Sequence, residues 1–375
     1  MKKLLLLLLL LLTITLPAIA SDEISDKLKS EPSVFVKDIT GHVHEIDMRG
    51  FQNQNVLVLI NGRKINCVDL SGTDWGQLTT DQIDKIEITK CDGAVLYGDN
   101  ATGGVINITT KKAKEKFKFN SNTYIGSYGY YTQAVGVSGL KDKFDYTLRL
   151  RYKDEHGYRE NAEARTKNLS FNVGYQYSDL LYFSLEGSDY YGHYGLPGGL
   201  SLLDIQQYGR RHSNYPDDDV KIDDKYIMPV IKWGNFTFKQ ALRQRDYTYK
   251  SYKSGSWRSD SNISMADSYL NYDFQINNNK LSTGINFNNS NANVKDNYSK
   301  YKITKDDFGI FMYDVYSVYD IRDIRNFKEG EGMREYTEHK PIPVKLQYII
   351  IFMLFNIPGV VIFYWYRRYM KKDKP

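Results

Sequence analysis

A two-residue alternation of apolar and polar side chains runs through most of the chain from Phe117 onward. In the segment 144–153, Phe, Tyr, Leu, Leu and Tyr alternate with Asp, Thr, Arg, Arg and Lys. The segments 169–177, 270–276 and 281–287 repeat this pattern. Because successive side chains of a β-strand point to opposite faces, the alternation predicts strands with one apolar and one polar face. A sheet between lipid and water has such faces.

A water-soluble β-sandwich also alternates, but two features favour a transmembrane barrel. Arg and Lys stand regularly opposite a Tyr, Phe and Leu face. Tight turns also alternate with long loops, as they do between the two ends of an outer-membrane barrel. The predicted turns are 140–143, 178–179, 233–235 and 277–280, and the predicted loops include Gly192–Lys225 and Lys250–Asn262. We count roughly ten strands between Phe117 and Val318, whereas the largest plugged barrels have roughly twenty-two. The predicted barrel is therefore incomplete.

Composition agrees with a barrel and excludes one class of partner. Mean hydropathy is only −0.52, since a barrel exposes just alternate residues to lipid. The 32 tyrosines suit aromatic girdles at the membrane surfaces. A net charge of +5 is too small to indicate nucleic-acid binding, and no basic patch is interleaved with stacking aromatics. Residues 1–20 have the charged start, leucine core and Ala-x-Ala end of a secretory signal peptide.

The stretch Ile46–Lys112 has a different pattern and predicts a small α+β module. Val56–Ile60 is a continuous apolar run of buried-strand length. Asn61-Gly62 follows it, a dipeptide suited to the positive φ angles of a tight hairpin turn. Alternation at 85–89 and 105–109 predicts two more strands. The pair Gly103-Gly104 before the last strand indicates a backbone bend or a close approach.

Four motifs in this stretch resemble the plug domain of TonB-dependent outer-membrane receptors. They occur in the family's order and spacing: Arg49-Gly50-Phe51 as its "IRGF" strand, Val58–Arg63 as its "VLIDG" hairpin, Ile83–Ile88 as its "IERIEV" strand, and Tyr97–Ile108 as its "YGxxAxGGVINI" segment. A soluble periplasmic α+β domain with coincidental glycines is the alternative. The resemblance implies an α+β plug domain followed by antiparallel transmembrane β-barrel strands.

The resemblance divides the chain and implies roles for plug residues. It places the plug domain at 21–112 and the partial barrel at 113–320, after the signal peptide. Plug residues expected to act in structure and gating are Arg49, Gly50, Asn61, Gly62, Arg63, Tyr97, Gly98, Gly103, Gly104 and Asn107. Their polar groups are expected to face the barrel wall, so that plug release costs little.

The two cysteines, Cys67 and Cys91, both fall in the plug-like module. An oxidising periplasm permits a disulfide between them. Two buried thiols are an equally weighted alternative, because sequence does not give their separation. Four-ligand zinc binding is disfavoured, since no His and Cys spacing supports it.

The long loop contains five aspartates, Asp217, Asp218, Asp219, Asp223 and Asp224, which are weak candidate ligands for Ca²⁺. No EF-hand spacing is present, and a solvated acidic loop is the simpler interpretation. No other cofactor is expected. His193 and His212 on the same loop are interpreted as surface polar residues.

Residues 321–375 break both patterns. The run 346–366 is almost wholly apolar and long enough for a transmembrane helix, with Arg and Lys after it. An inner-membrane helix conflicts with an outer-membrane barrel, so we interpret the chain as a truncated or frame-disrupted receptor with an atypical tail.

Two functions follow from these patterns. The first is an outer-membrane receptor for a scarce small metal-chelate or cofactor ligand, such as a ferric siderophore or cobalamin, bound by extracellular loops and gated by the plug. Its implied partners are that ligand, outer-membrane lipid and a TonB-type energy-coupling protein of the inner membrane, although no coupling segment is recognisable before Ile24. The alternative is a truncated non-transporting fragment, or a periplasmic binding module tethered to the inner membrane by the helix. No catalytic constellation is present, so an enzyme is not expected.

Overall fold

The computed structural model describes residues 24–38, 44–69, 75–78, 82–90, 101–252, 256–276 and 279–316. Two α-helices and sixteen β-strands occur in these residues. The first part of the chain, the N-terminal module (residues 24–110), contains α1 (Ile24–Lys29), β1 (Val34–Asp38), β2 (His44–Met48), β3 (Val56–Ile60), β4 (Arg63–Lys64), β5 (Ile83–Thr89) and β6 (Gly104–Thr110).

The rest of the described chain forms one large antiparallel sheet with a short helix in one connection. Its elements are β7 (Lys118–Ile125), β8 (Tyr131–Lys141), β9 (Phe144–Glu155), β10 (Ala164–Ser178), β11 (Leu181–Gly195), α2 (Leu202–Tyr208), β12 (Asp219–Trp233), β13 (Phe236–Ser251), β14 (Trp257–Ile276), β15 (Asn279–Asp296) and β16 (Lys300–Tyr316). An α+β module followed by antiparallel strands is the predicted fold class.

The N-terminal module is built on a four-stranded sheet in the order β4-β3-β6-β5. β3 and β6 run parallel, with Val56 opposite Gly104, and β5 joins β6 antiparallel. β3 is buried along its whole length, as its uninterrupted apolar sequence predicts. The core includes α1 through Ile24 and Leu28, β6 through Ile106 and Ile108, and Trp75. β1 and β2 pair separately as a two-stranded ladder.

The predicted Asn61-Gly62 turn is confirmed. Both residues have positive φ, 52° and 85°, the combination that a two-residue turn of the mirror-image type requires. Asn61 tolerates this conformation because its short side chain hydrogen-bonds locally. Its Oδ1 accepts a 2.9 Å bond from the Thr110 backbone N–H, which ties the turn to the end of β6.

The large sheet is a meander, in which every strand pairs with its neighbours in sequence from β7 to β16. Short turns join β8 to β9, β10 to β11 and β12 to β13, and we call this edge the short-turn end. The opposite edge, which we call the loop end, carries the segments 126–130, 156–163 and 196–218 between consecutive strands. The predicted alternation of tight turns and longer connections is therefore observed.

One face of the large sheet is apolar and exposed, and the other is polar and buried. On β9, Leu148 and Leu150 are 45% and 53% exposed, whereas Arg151 and Lys153 are 5% and 3% exposed. This is the reverse of a soluble protein, and it fits lipid outside with polar side chains turned inward. Exposed apolar residues of this outer face include Phe144, Leu169, Val173, Phe183, Leu185, Ile231, Trp233, Phe236, Leu242, Ile285, Phe287, Phe308 and Ile310.

Three sequence predictions need correction. Arg49 and Gly50 were expected in a strand, but they have positive φ and form a tight turn that brings Phe51 back to Met48 by two 2.9 Å hydrogen bonds. The predicted loop Gly192–Lys225 is shorter, since β11 extends to Gly195 and β12 begins at Asp219. The predicted loop Lys250–Asn262 lies largely within β13 and β14. Regular alternation continues further in both cases than turn-forming residues suggested.

The chain divides into two compact units, one holding the residues up to Asp273 with 282–312, the other Phe274–Leu281 with the chain from Tyr313. All contacts described below belong to the first. Among the described residues, no helix is long and apolar enough to cross a membrane. The predicted helix 346–366 lies outside the described residues.

Candidate functional site

The N-terminal module contacts the polar inner face of the large sheet, and most of the contacts are hydrogen bonds. The Asn61-Gly62 turn reaches β11 and β13. Asn61 donates to Glu186 Oε1 at 2.8 Å, and its carbonyl accepts a 3.0 Å bond from Lys239 Nζ. A side chain at Gly62 would bring its Cβ to 2.9 Å from the same ammonium group. Glycine at position 62 thus suits the turn and also leaves room for the close approach of Lys239.

Arg63 follows this turn and lies against β12. Its guanidinium carbon is 3.7 Å from the centre of the Tyr226 ring, a cation–π contact. Tyr226 donates from its hydroxyl to Glu186 Oε1 at 2.7 Å. Arg63 is only 2% exposed, and its Nε and Nη1 atoms have no hydrogen-bond acceptor among the described residues. The module therefore places a buried cation on the sheet with its hydrogen-bonding capacity only partly used.

Asp224 on β12 is the centre of the second group of contacts. Its carboxylate accepts two bonds from Arg243 on β13, at 2.8 and 2.5 Å. It also accepts a 2.8 Å bond from the Gln77 side-chain amide of the module. Arg243 itself donates to the backbone carbonyl of Ile65 at 3.0 Å. One buried ion pair on the sheet therefore holds two segments of the module, residues 65–69 and 75–77.

Further contacts hold the same two segments. Asn168 on β10 donates to the Gln77 carbonyl at 2.5 Å, and Arg151 on β9 donates to the Gly76 carbonyl at 3.3 Å. Ser261 on β14 donates to Asp69 at 2.7 Å. The acceptors on residues 76 and 77 are backbone carbonyls. The hydrogen bonds from Asn168 and Arg151 therefore depend on the position of the module's backbone and not on its side chains.

Lys64 is half-buried and Cys67 is buried at the same boundary. Burial lowers the pKa of Lys64, and the carboxylates of Asp267 and Asp307 oppose this effect. Cys67 is buried, and Arg245 donates to its Sγ at 2.7 Å. Cys67 also joins the one small apolar cluster found between the module and the sheet among the described residues, with Ile263, Met265, Ala292 and Val294.

This boundary suits a domain that is held firmly but not irreversibly. A polar contact that breaks in water is replaced by hydrogen bonds to water, so its net contribution is about 1 kcal/mol. Buried apolar surface has no such replacement. The module's own core is apolar, whereas its attachment to the sheet is mainly polar. Water can therefore replace most of the contacts that join the module to the sheet, but not those of the module's own core.

The other predicted plug residues lie inside the module and shape its chain path. Gly103 and Gly104 lead into β6, and Gly103 donates to the Asn55 carbonyl at 2.8 Å. Asn107 lies on β6, where it donates to Glu87 at 3.3 Å. Tyr97, Gly98 and Cys91 lie outside the described residues, so the Cys67–Cys91 pairing stays a prediction.

The five candidate calcium ligands are not brought together. Asp224 pairs with Arg243, Asp223 with Lys225 at 3.1 Å, and Asp219 with His193 at 3.2 Å. Asp218 is buried and accepts from the Tyr252 backbone N–H at 2.7 Å. Asp217 is exposed. Within the described part of the chain, no group of three or more His, Cys, Asp and Glu side chains is placed to hold a metal ion.

The segment 196–218 between β11 and β12 is an ordered loop, and Arg159 from the neighbouring loop organises it. The Arg159 guanidinium donates to three backbone carbonyls, those of Pro197, Gly198 and His212, at distances from 2.5 to 3.2 Å. Asn161 donates to the carbonyls of Tyr215 and Asp218. Side chains that hydrogen-bond to carbonyls in a distant segment leave no local pattern, and the sequence analysis missed both residues.

Substituting Arg159 with Ala is expected to loosen this loop without unfolding the sheet. The change removes one donor from each of three carbonyls, of which that of Pro197 keeps the Asn214 backbone N–H. We expect proteolytic cleavage within 196–218 to become at least about tenfold faster, since one hydrogen bond to a charged group contributes roughly 1.5 kcal/mol or more. Limited proteolysis with mass spectrometry of the fragments measures this. Arg165→Ala is the matched control, because Arg165 makes an exposed ion pair with Asp154. Equal cleavage rates in the two variants would contradict the assigned role of Arg159.

Comparisons with known proteins agree with this architecture. The family model for the TonB-dependent receptor plug domain matches residues 15–105. The vitamin B12 transporter BtuB of Photobacterium profundum is 27% identical over 239 residues, which are 60% of this chain and 39% of the relative. BtuB of Vibrio vulnificus is 32% identical over 163 residues, 43% of this chain and 26% of the relative. The chain thus spans well under two thirds of the length of these relatives.

Solved structures share the fold at low sequence identity. The unliganded ferric citrate transporter FecA matches with a TM-score of 0.67 and 17% identity, covering 79% of this chain and 51% of FecA. The ferric yersiniabactin uptake receptor FyuA from Yersinia pestis matches with a TM-score of 0.65 and 15% identity, covering 79% and 52%.

An α+β domain attached to the inner face of a lipid-exposed antiparallel sheet defines a plugged outer-membrane β-barrel protein. Within that class, residues 15–105 match the plug domain of TonB-dependent receptors, and the module with its large sheet shares the fold of the solved structures FecA and FyuA. The outer-membrane location that the lipid-facing strands predicted agrees with these matches.

Proposed function

We propose that this protein is an outer-membrane receptor that takes up a scarce ligand such as a ferric siderophore or cobalamin. The loop end would face outward, since long connections lie outside in this class of barrel. A ligand bound there would enter when the plug domain shifts from the inner face of the sheet. The relatives named above transport vitamin B12 or ferric chelates, which supports this choice of ligand class.

The polar attachment of the plug domain is the observation that carries the proposal. Its most buried element is the ion pair of Asp224 and Arg243, which holds residues 65–69 and 75–77. Contacts of this kind exchange with water when they break, whereas an apolar attachment would make movement costly. A TonB-type protein of the inner membrane is the partner we propose for supplying the energy of that movement.

Uptake by intact cells tests this function. The full chain is produced in a Gram-negative host lacking its own cobalamin and siderophore receptors, and the cells receive labelled cyanocobalamin or one of a panel of ⁵⁵Fe-siderophores. We expect saturable binding of one ligand, followed by accumulation that an uncoupler abolishes. The Arg159→Ala variant should bind that ligand more weakly than Arg165→Ala, because only the former loses the ordered loop.

The uptake experiment tests the receptor role and the transport role separately. If no ligand binds above the level of cells without the chain, the receptor role is wrong. Binding without uncoupler-sensitive accumulation would retain the receptor role and remove transport.

A further inference from the structure

A proline interrupts the large sheet in the middle of one of its central strands. Pro229 lies in β12, and β12 pairs with β11 along its whole length, from Asp219 to Trp233. Its pairing with β13 has a gap, because the register passes from Ile227 directly to Val230. Proline has no N–H to donate to a neighbouring strand, and in sheets it is confined mostly to edge strands and bulges. The missing N–H of Pro229 therefore faces β13.

Four residues lie in this gap, two on each strand, and we call them the gap residues: Met228, Pro229, Gln240 and Ala241. Side chains replace the lost ladder bonds only by apolar contact. On the inner face, Met228 and Ala241 belong to one small apolar cluster. On the outer face, Gln240 accepts a 2.6 Å hydrogen bond from Ser268, which lies on β14. The polar side chain of the gap is thus bonded to β14 and not to β12.

The Asn61-Gly62 turn and Arg63 of the plug domain lie across this gap, and we call residues 61–63 the hairpin tip. The Arg63 guanidinium carbon is 3.7 Å from the centre of the Tyr226 ring of β12. The Asn61 carbonyl accepts the 3.0 Å bond from Lys239 Nζ of β13. Tyr226 and Lys239 lie at opposite ends of the gap, each within two residues of it. The hairpin tip therefore contacts both strands beside the point where their ladder is interrupted.

Glu186 of β11 joins the same contacts. Its Oε1 accepts a 2.8 Å bond from the Asn61 side chain and a 2.7 Å bond from the Tyr226 hydroxyl. Hydrogen bonds to a charged group contribute more than those between neutral groups. With the hairpin tip in place, β12 and β13 are linked across the gap through the plug domain. Without it, the gap residues would keep only apolar contact, and a segment with few ladder bonds opens locally at a low free energy.

We propose that the hairpin tip is a clamp that holds the sheet closed at Pro229, and that β12 and β13 part locally at the gap when the plug domain leaves the inner face. This inference rests on the proposed movement of the plug domain. The ladders of β11 with β12 and of β13 with β14 are unbroken, so they keep the rest of the sheet intact. A ligand that passes the displaced plug domain then meets a sheet that yields at one defined point.

Hydrogen–deuterium exchange of the purified full chain tests the clamp, without ligand and without an energy supply. In the double variant Asn61→Gly/Arg63→Gln, glycine keeps the positive φ of the turn, and the contacts to Glu186 and Tyr226 are removed. The amides of residues 239–242 should exchange at least about tenfold faster than in the wild type, because a hydrogen bond to a charged group is lost.

Lys225→Gln is the matched control for this double variant. Lys225 is an exposed cation of β12 that pairs with Asp223 and lies on the opposite face of the sheet from Tyr226. Successive residues of a strand point to opposite faces, so this change does not reach the hairpin tip. Exchange of residues 239–242 should be unchanged in Lys225→Gln.

Restoring the missing donor distinguishes a clamp from a general loosening of the sheet. Pro229→Val supplies a backbone N–H toward β13 and a side chain suited to a strand. Alone, it should slow exchange of residues 239–242 about fivefold, the effect of one ladder hydrogen bond. In the Pro229→Val background, the change Asn61→Gly/Arg63→Gln should have little further effect, because the ladder no longer depends on the hairpin tip.

Two results would overturn the clamp: unchanged exchange of residues 239–242 in the double variant, or equal acceleration with and without Pro229→Val. Protection of the β3 amides shows whether the plug domain stays folded. If it does not, Lys239→Met serves instead, since it removes only the bond from the sheet to the Asn61 carbonyl and should accelerate exchange about fivefold. No uptake is measured, so a negative result here leaves the transport function standing, and failed transport leaves the clamp standing.

Discussion

Replacing Asp224 with Asn should weaken the attachment of the plug domain by about 3–5 kcal/mol, the usual effect of removing one partner from a buried ion pair. Arg243 would be left buried without its carboxylate, and Arg245, whose Nε lies 4.0 Å from Asp224, would lose a nearby negative charge. Asn has a single acceptor oxygen, for which Gln77 and Arg243 would compete. Hydrogen–deuterium exchange of the full chain measures the effect: backbone amides in 65–69 and 75–78 should exchange at least about 100-fold faster.

Asp223→Asn is the matched control, because Asp223 is the preceding residue, points outward and pairs with Lys225 at the surface. Exposed ion pairs contribute at most about 1 kcal/mol, so exchange in the plug domain should stay within a few-fold of wild type. The amides of β10 and β11 should remain protected in both variants. Similar exchange of residues 65–69 in the two variants would show that Asp224 does not anchor the plug domain.

Replacing Gly104 with Ala should destabilise the plug domain itself by about 2–4 kcal/mol, combining an unfavourable backbone conformation with overpacking. Gly104 has φ 140°, which residues with a side chain rarely adopt. A Cβ there would lie 2.7 Å from the Thr89 carbonyl oxygen of the neighbouring strand and 2.7 Å from Met48 Cε. The methionine can move, but the carbonyl belongs to the β5–β6 ladder. Urea unfolding of the full chain, followed by amide exchange in β3 and β6, measures the loss.

The control for this change is Gly199→Ala in the loop between β11 and β12. A Cβ at Gly199 would meet no atom within 4 Å. Surface changes of this kind alter stability by less than about 0.5 kcal/mol. A Gly104→Ala protein as stable as the Gly199→Ala protein would show that the bend before β6 relaxes without cost.

Local periodicity was sufficient to predict most of this fold. The uninterrupted apolar run of β3, the Asn61-Gly62 turn and the alternation in β9 each depend on residues close in sequence. Backbone geometry translates such patterns directly into strands, turns and sheet faces. The resemblance of four motifs to the plug domain also predicted the order of the structural elements in the N-terminal module. The turn at Arg49-Gly50 was missed because arginine is an unusual residue at positive φ.

The contacts that attach the plug domain could not be predicted in this way. Asp224 was interpreted as a loop carboxylate, because it follows a run of aspartates, yet it lies on β12 and is buried against Arg243. Its partners are distant in sequence, and nothing near Asp224 indicates Gln77 or Ile65. Arg159 was missed for the same reason. Sequence showed that polar residues line the inner face, but only the structure pairs them.

The distance in sequence between these partners has a consequence for biogenesis. Each strand of the large sheet pairs with the next one, so hairpins can form as the chain is delivered to the membrane. The contacts of the plug domain instead span 125 residues from Asn61 to Glu186 and 192 residues from Asp69 to Ser261. Contacts of such separation carry the greatest loop-closure entropy and form late. The plug domain is synthesised first, but it can complete its contacts with the inner face of the sheet only after β14 has formed. If the sheet closed before that, the plug domain would be left outside it.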